Sequence, residues 1–245
     1  MGEIKLIKSS IFDDGLENGF FLRSGGVSNG GFSSLNFSLD AGDERINVIK
    51  NWEIAGSFVG WINKPYILNQ IHSDKVFICN SSFKSGMKGD SLIIFERKSY
   101  AGVTTADCLP VVLFDPIKNV ASIVHCGWKG TSSKIVYKTL TILKERFGCS
   151  FKNILATLYP CIGECCYEIK EDVAEKFQRA YLSKKDKKLY LNLKKANTGQ
   201  LVEAGVTFDH IETIKSCTMC DSKSFYSYRR DGSFTGRHLT FIGLK

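Results

Sequence analysis

A chain of 245 residues with 43% hydrophobic and 12% aromatic side chains can close a sizeable core, which excludes a disordered or fibrous protein. No segment approaches the roughly 18 uninterrupted apolar residues of a membrane span, and Lys5 and Lys8 break up the N-terminal run, so no membrane contact and a cytoplasmic location are expected. The net charge of +8 suits a small anionic substrate; the densest basic run, Lys184-Lys185-Asp186-Lys187-Lys188, lacks the interleaved aromatics of a single-strand platform and reads as a solvated loop, so no nucleic-acid partner is expected.

In chain order, Phe20 to Arg23 is the first expected strand, followed by the turn Arg23-Ser24-Gly25-Gly26-Val27-Ser28. Helical spacing predicts a helix over Glu44 to Val59, with Ile46, Ile49, Trp52 and Ala55 on its buried side. Short apolar runs predict strands at Tyr66 to Ile71, Val76 to Cys79 and Ser91 to Phe95. The stretch T-T-A-D-C-L-P-V-V-L-F-D, residues 104 to 115, is an apolar run interrupted by Asp107 and Cys108, with a strand expected at Pro110 to Phe114 where Pro110 can begin it. A strand at Val120 to Val124 precedes a helix over Ser132 to Phe147, in which Val136, Leu140, Leu143 and Phe147 lie three or four apart. A strand at Ile154 to Tyr159 and a helix over Glu171 to Leu182 come next. Ser224 to Tyr228 and His238 to Ile242 read as a final strand pair, joined by a turn at Asp231-Gly232. Strands outnumber helices without regular alternation, which disfavours a doubly wound parallel sheet and points to an α+β class with mixed sheets and helices outside. No repeat or linker divides the chain, so a single domain over residues 1–245 is expected.

Two of the four histidines end apolar runs: His72 in N-Q-I-H-S-D and His125 in S-I-V-H-C-G-W-K-G. Cys108 lies in the same kind of place. One thiolate and two imidazoles form a natural Zn2+ set, and three protein ligands leave a fourth position for water or substrate. The residues also fit a Cys-His nucleophile pair, with Cys108 attacking, His125 as its base and Asp107 or Asp74 orienting the imidazole. A third reading makes all three ordinary core residues. Cys126 follows His125 on a strand and is therefore expected to point away from any metal there.

The Gly-Gly turn beside Arg23 and the helix start at Gly127-Trp128-Lys129-Gly130 each have the backbone to hold an oxyanion, although ordinary turns explain both. Near the C-terminus an arginine of Tyr226-Ser227-Tyr228-Arg229-Arg230-Asp231 or of Gly236-Arg237 can pair with phosphate. Nine cysteines cannot all pair, so thiols are expected. Cys161-Ile162-Gly163-Glu164-Cys165-Cys166 and Cys217-Thr218-Met219-Cys220 raise a separate four-thiolate zinc site. The irregular first piece favours plain thiols near the site entrance instead.

Taken together, R-S-G-G-V-S, L-N-F-S, N-Q-I-H-S-D, T-A-D-C-L-P-V-V-L-F-D, V-H-C-G-W-K-G-T, P-C-I-G-E-C-C-Y-E and F-Y-S-Y-R-R-D-G with T-G-R run almost end to end. In that order they resemble the family once labelled multicopper polyphenol oxidases or laccase-domain proteins, now regarded as purine nucleoside phosphorylases with adenosine deaminase activity. The resemblance implies a four-layer α/β/β/α sandwich with mixed β-sheets. It implies that His72, Cys108 and His125 bind Zn2+, with copper as the other metal to consider, and that Asp107, Cys108 and His125 are catalytic. Arg23, Ser28, Arg229 and Arg237 are the expected substrate contacts.

The implied activity is a zinc-dependent purine nucleoside phosphorylase that also deaminates adenosine and phosphorolyses methylthioadenosine. Its partners are purine nucleosides and phosphate, and a monomer is expected. Alternatives are a hydrolase that removes L-serine from uridine-linked muramyl precursors and a copper polyphenol oxidase; four histidines are too few for the latter's copper centres. The chain departs from the family's usual H-A-G-W-R-G at Cys126 and Lys129, and carries Tyr159 where a glycine usually precedes Pro160.

Overall fold

Phe20 and Phe21 are neighbours on one strand and both are fully buried, yet they enter two different cores. Alternation of side chains across a strand produces this when both faces of a sheet are covered. The computed structural model describes residues 2–12, 15–80 and 82–245. Its strands are β1 (Leu6–Ile7), β2 (Leu16–Phe21), β3 (Tyr66–Ile67), β4 (Val76–Cys79), β5 (Ser91–Ile94), β6 (Tyr100–Thr105), β7 (Leu109–Asp115), β8 (Val120–Cys126), β9 (Leu155–Leu158), β10 (Glu168–Ile169), β11 (Leu182–Lys185), β12 (Lys188–Leu191), β13 (Ile211–Thr213) and β14 (His238–Leu244). Its α-helices are α1 (Arg45–Val59), α2 (Trp128–Ser132), α3 (Ile135–Phe147), α4 (Glu171–Ala174), α5 (Leu193–Ala204) and α6 (Tyr228–Asp231).

A five-stranded sheet has the order β1-β2-β14-β6-β3, and a six-stranded sheet the order β13-β9-β7-β8-β5-β4. Both are mixed: β3 runs parallel to β6, β13 to β9 and β4 to β5, whereas the remaining pairs are antiparallel. Three cores fill the spaces between four layers. Phe21, Phe241 and Leu239 meet Ala55 and Trp52 of α1 on the outer face of the first sheet. Phe20, Val103 and Ile242 meet Leu92, Val112 and Ile123 between the sheets. Val111, Leu113 and Val124 meet Val136, Leu140 and Leu201 of α3 and α5 outside the second sheet. The chain has the expected α+β architecture, an α/β/β/α sandwich with mixed sheets.

Several local expectations give way to tertiary structure. The strand expected at Pro110 to Phe114 is present as β7, but it and β6 lie in different sheets: β6 belongs to the first sheet and β7 to the second, and Ala106, Asp107 and Cys108 carry the chain across. In α1 the buried residues are Val48, Asn51 and Ala55, while Ile46 and Ile49 are exposed. Asn51 wins its buried place by hydrogen bonds to Ser28 Oγ, the Asn36 carbonyl and the Val27 N–H. The helix expected over Glu171 to Leu182 stops at Ala174, where tight turns from Lys176 and Phe177 back to Val173 and Ala174 close it. Phe177 and Tyr181 reach the same core from those turns.

The basic run is solvated as expected, but it forms the tip of the β11–β12 hairpin rather than a loop. Asp186 and Lys187 take φ of 48° and 63°, the two left-handed positions of a type I′ turn. Ser224 to Tyr228 is not a strand. Its aromatics are buried by rings instead, Phe225 against Phe20 and Tyr226 against His238, and Ser227 then caps α6 by accepting from Arg230 N–H.

Candidate metal centre

Cys108 ends the crossing between the sheets, immediately before β7. His125 is the penultimate residue of β8 and stands opposite Pro110 in the ladder. His72 lies in the loop after β3 with a left-handed φ of 57°. Their ligand atoms all lie within 4.8 Å of one another, with Cys108 Sγ 3.8 Å from His72 Nε2. The imidazoles of His72 and His125 meet edge to face with centroids 4.9 Å apart. Gly127 makes the approach possible: a Cβ there would lie 3.0 Å from His72 Cδ2 and 3.1 Å from Cys108 Sγ. Cys126 points into the core under α3, away from the group, as strand alternation requires.

The residue that organises the centre is Asp90, which the sequence reading missed in favour of Asp74 and Asp107. Asp90 is fully buried at the foot of β5. Its carboxylate accepts from His125 Nδ1 at 2.8 Å, from His72 N–H at 3.0 Å, and from the N–H and hydroxyl of Ser73 at 2.6 Å each. Its carbonyl accepts from His125 N–H at 2.8 Å. Burial works against the Asp90 carboxylate, but His125 and Ser73 outweigh it and hold the pKa below the ordinary value. An ionised acceptor at Nδ1 fixes the tautomer of His125 and leaves Nε2 for the cavity. Asp74 sits elsewhere, paired with Lys138 on the surface.

Burial opposes the Cys108 thiolate as well. The adjacent His125 and His72 reverse that effect and bring the thiol down to about 6. Burial likewise disfavours a charged His125, yet Cys108 and Asp90 raise it to about 9. The two shifts share a cause, since each group favours the charged form of the other. With a metal, one thiolate and two imidazoles fit Zn2+ or copper, and the Asp90 contact is the outer hydrogen bond that such ligand histidines need.

Asp107 lines the cleft beside Cys108, with its carboxylate already engaged. Its Oδ1 accepts from the Thr218 hydroxyl at 2.6 Å, and its Oδ2 from the Ser227 hydroxyl at 3.0 Å and Arg229 N–H at 2.7 Å. Both oxygens are thus engaged in holding the crossing, where Asp107 itself takes φ of 86°.

The three candidate ligands lie in a cleft of about 1140 Å3, above the roughly 300–1,000 Å3 of common small-molecule pockets. Trp52, Tyr66, Leu68, Ile162 and Tyr167 supply apolar wall, and Arg229, Arg237 and Gln70 supply polar groups. Arg229 donates to the Glu168 carbonyl and lies 5.2 Å over the Tyr167 ring. Burial lowers the Arg237 pKa, while the negative Cys108 and Asp107 pull it back up.

Arg23 and Ser28 are not brought to this cleft. Arg23 donates to the carbonyls of Ser33 and Ser222 and stacks 4.8 Å over Tyr226, tying three segments together. Ser28 is buried and donates to Asp43 at 2.6 Å. Lys129 is exposed and rests over its neighbour Trp128. Tyr159 is buried, stacks on Phe20 and donates to Asn18 at 2.6 Å, which makes it a residue of the core between the sheets. All nine cysteines are free thiols, as expected, and a second group of them, Cys165, Cys166, Cys217 and Cys220, also gathers its sulfurs within 4.8 Å.

The family described as multi-copper polyphenol oxidoreductase laccase matches residues 17–245. A purine nucleoside phosphorylase of Clostridium acetobutylicum is 35% identical over 216 residues, covering 86% of this chain and 87% of the relative. An adenosine deaminase from an unknown prokaryotic organism is 29% identical over 231 residues, covering 87% of each. The crystal structure of YlmD from Geobacillus stearothermophilus superposes with a TM-score of 0.91 at 28% identity, over 97% of this chain and 94% of that one. On this match to nearly its whole length, the chain belongs to the multi-copper polyphenol oxidoreductase laccase family.

Proposed function

We propose that the chain is a zinc-dependent purine nucleoside phosphorylase that also deaminates adenosine and accepts methylthioadenosine. The observation that carries the proposal is the group His72, Cys108 and His125 within 4.8 Å, in a cleft that also presents two arginines. The names of the relatives, a purine nucleoside phosphorylase and an adenosine deaminase, supply the substrate class.

A zinc ion held by these three residues would supply Lewis-acid polarisation and a water acidic enough to deprotonate near pH 7. The chain's own residues do the rest. Asp90 keeps the Nδ1 proton on His125 and, through the His72 N–H, fixes the second ligand's backbone. Arg237 and Arg229 neutralise phosphate, which attacks C1′ as the glycosidic C–N bond breaks and the purine leaves. Tyr66, Trp52, Leu68 and Tyr167 offer faces on which the purine is held out of water. In deamination, water adds at C6 and ammonia departs from the same carbon, with no phosphate required.

A second reading is favoured by the cleft's size, which leaves room for a larger nucleotide-linked substrate such as a uridine-linked muramyl precursor bearing L-serine. Multi-copper oxidase chemistry fits the residues poorly. Among the described residues, one candidate metal group has two histidines and the other has none, whereas the chemistry needs a separate imidazole-rich centre.

The test is a panel of adenosine, inosine and methylthioadenosine offered to the zinc-loaded protein with and without phosphate. Free base with phosphate and ammonia from adenosine are expected. Neither product from any of them, with L-serine released from the muramyl precursor, would replace the proposal by the second reading.

A further inference from the structure

Four of the eight cysteines that the nucleoside site does not use gather at one place on the fold. Cys165 and Cys166 lie in the turn between β9 and β10, and Cys217 and Cys220 in the loop after β13. A short parallel β-bridge between the backbones of Cys161 and Cys217, both free thiols, holds the two loops side by side, with Thr218 N–H donating to the Cys161 carbonyl at 3.1 Å. Cys220 Sγ lies 3.3 Å from Cys166 Sγ and 3.6 Å from Cys165 Sγ, and all four sulfurs fall within 4.8 Å. Four thiolates around one Zn2+ at about 2.3 Å sit about 3.8 Å apart, so the spacing is that of a single tetrahedral ion.

Two details of the surroundings fit a bound ion. Gly163 N–H donates to Cys217 Sγ at 3.2 Å, the outer contact that tunes a metal thiolate. A Cβ at Gly163 would lie 3.1 Å from Cys165 Sγ and 3.4 Å from Cys217 Sγ, so glycine keeps the space between the loops free. Cys161, the fifth cysteine nearby, turns away into the core and donates to the Ile162 carbonyl.

We propose that Cys165, Cys166, Cys217 and Cys220 bind one structural Zn2+, distinct from the ion of the nucleoside site. With all four positions filled by protein, the site has no place for substrate. Its role is to fasten the loops that hold the crossing between the sheets. Thr218, inside the second cysteine pair, donates to Asp107 Oδ1 at 2.6 Å, and Ile162 N–H donates to the Asp107 carbonyl at 2.9 Å. Arg230 in turn donates to the carbonyls of Thr218 and Met219 at 3.0 Å each. Zinc binding displaces one proton from each thiol and involves no change of oxidation state.

The test uses the full chain carrying Cys108→Ala, which removes the only sulfur of the nucleoside site and leaves all four proposed ligands. After replacement of zinc by Co2+, this protein should show the intense near-ultraviolet sulfur-to-cobalt absorption of a tetrahedral thiolate site. Adding Cys220→Ser, with folding checked by circular dichroism, should abolish tight binding of that ion and lower the melting temperature. Metal analysis of the wild-type chain should find two zinc equivalents, falling to one with Cys220→Ser alone. A Cys108→Ala protein with reduced thiols and no sulfur-to-cobalt band would overturn the proposal. So would peptide mapping of the wild-type chain that finds Cys220 joined to Cys165 or Cys166 in a disulfide.

Discussion

Asp90 takes the Nδ1 hydrogen bond of His125 at 2.8 Å from a position with no exposure to water. Through its other contacts the same carboxylate holds the backbone of His72, so two of the three candidate ligands depend on one buried acid. Asp90→Asn removes the charge that fixes His125 and is expected to weaken zinc binding roughly 10- to 100-fold. Competition with a chromophoric chelator measures this directly. Asp74→Asn, which breaks only a surface pair with Lys138, should leave zinc affinity unchanged.

Gly127 has no room for a side chain beside His72 and Cys108. Gly127→Ala should push the two ligands apart by a few tenths of an ångström, costing about 1–3 kcal/mol of stability and part of the metal affinity. Denaturant titration with and without zinc separates the two effects: the zinc-dependent share of stability should shrink.

In metal-free protein the Cys108 thiolate should exist well below the ordinary thiol range. Its pKa is lowered to about 6, so the thiolate fraction rises as pH rises through about 6 and is nearly complete at pH 8. Iodoacetamide labelling of the chelated protein, followed by peptide mapping, should show a midpoint near 6 at Cys108. Zinc loading should protect it across that range. A midpoint at 8.5 or above would show that His125 and His72 do not act on this sulfur.

Asp107 is an anchor, and its substitutions should be read as stability changes first. Asp107→Ala leaves Thr218, Ser227 and Arg229 N–H without their acceptor and is expected to cost about 1–3 kcal/mol. Asp107→Asn keeps one acceptor and tolerates the left-handed φ, so it should cost less. Equilibrium unfolding checks the order of the two.

Arg237→Met should raise KM for phosphate by about tenfold or more, the loss of a charge-assisted contact, while adenosine deamination in the absence of phosphate changes little. Equal losses in both reactions would mean that Arg237 shapes the cleft rather than binds the anion.

The candidate ligands were legible because each stands where an apolar run ends, and His72, Cys108 and His125 do converge. Asp90 was not legible: nothing local marks a carboxylate that serves a histidine 35 positions later in the chain. The crossing at residues 106 to 108 was hidden for a related reason. No local signal shows that the chain before Asp107 and the strand expected at Pro110 to Phe114 belong to different sheets. The α5 helix escaped notice because its buried side includes the polar Asn197 and Gln200, whose side-chain N–H groups donate to the Thr131 hydroxyl and carbonyl. Arg23 looked like an anion site, yet its guanidinium is taken up by the Ser33 carbonyl ten residues on and by Ser222 and Tyr226 near the other end of the chain.

The central claim is that His72, Cys108 and His125 form the chemical centre for purine nucleosides. The most direct measurement is the turnover of adenosine with phosphate by wild-type and Cys108→Ala proteins, each titrated with zinc from the metal-free state. Free base and ammonia should appear in step with zinc filling this site, and Cys108→Ala, still folded, should lose both. Turnover that is independent of zinc, or undiminished in Cys108→Ala, would contradict it.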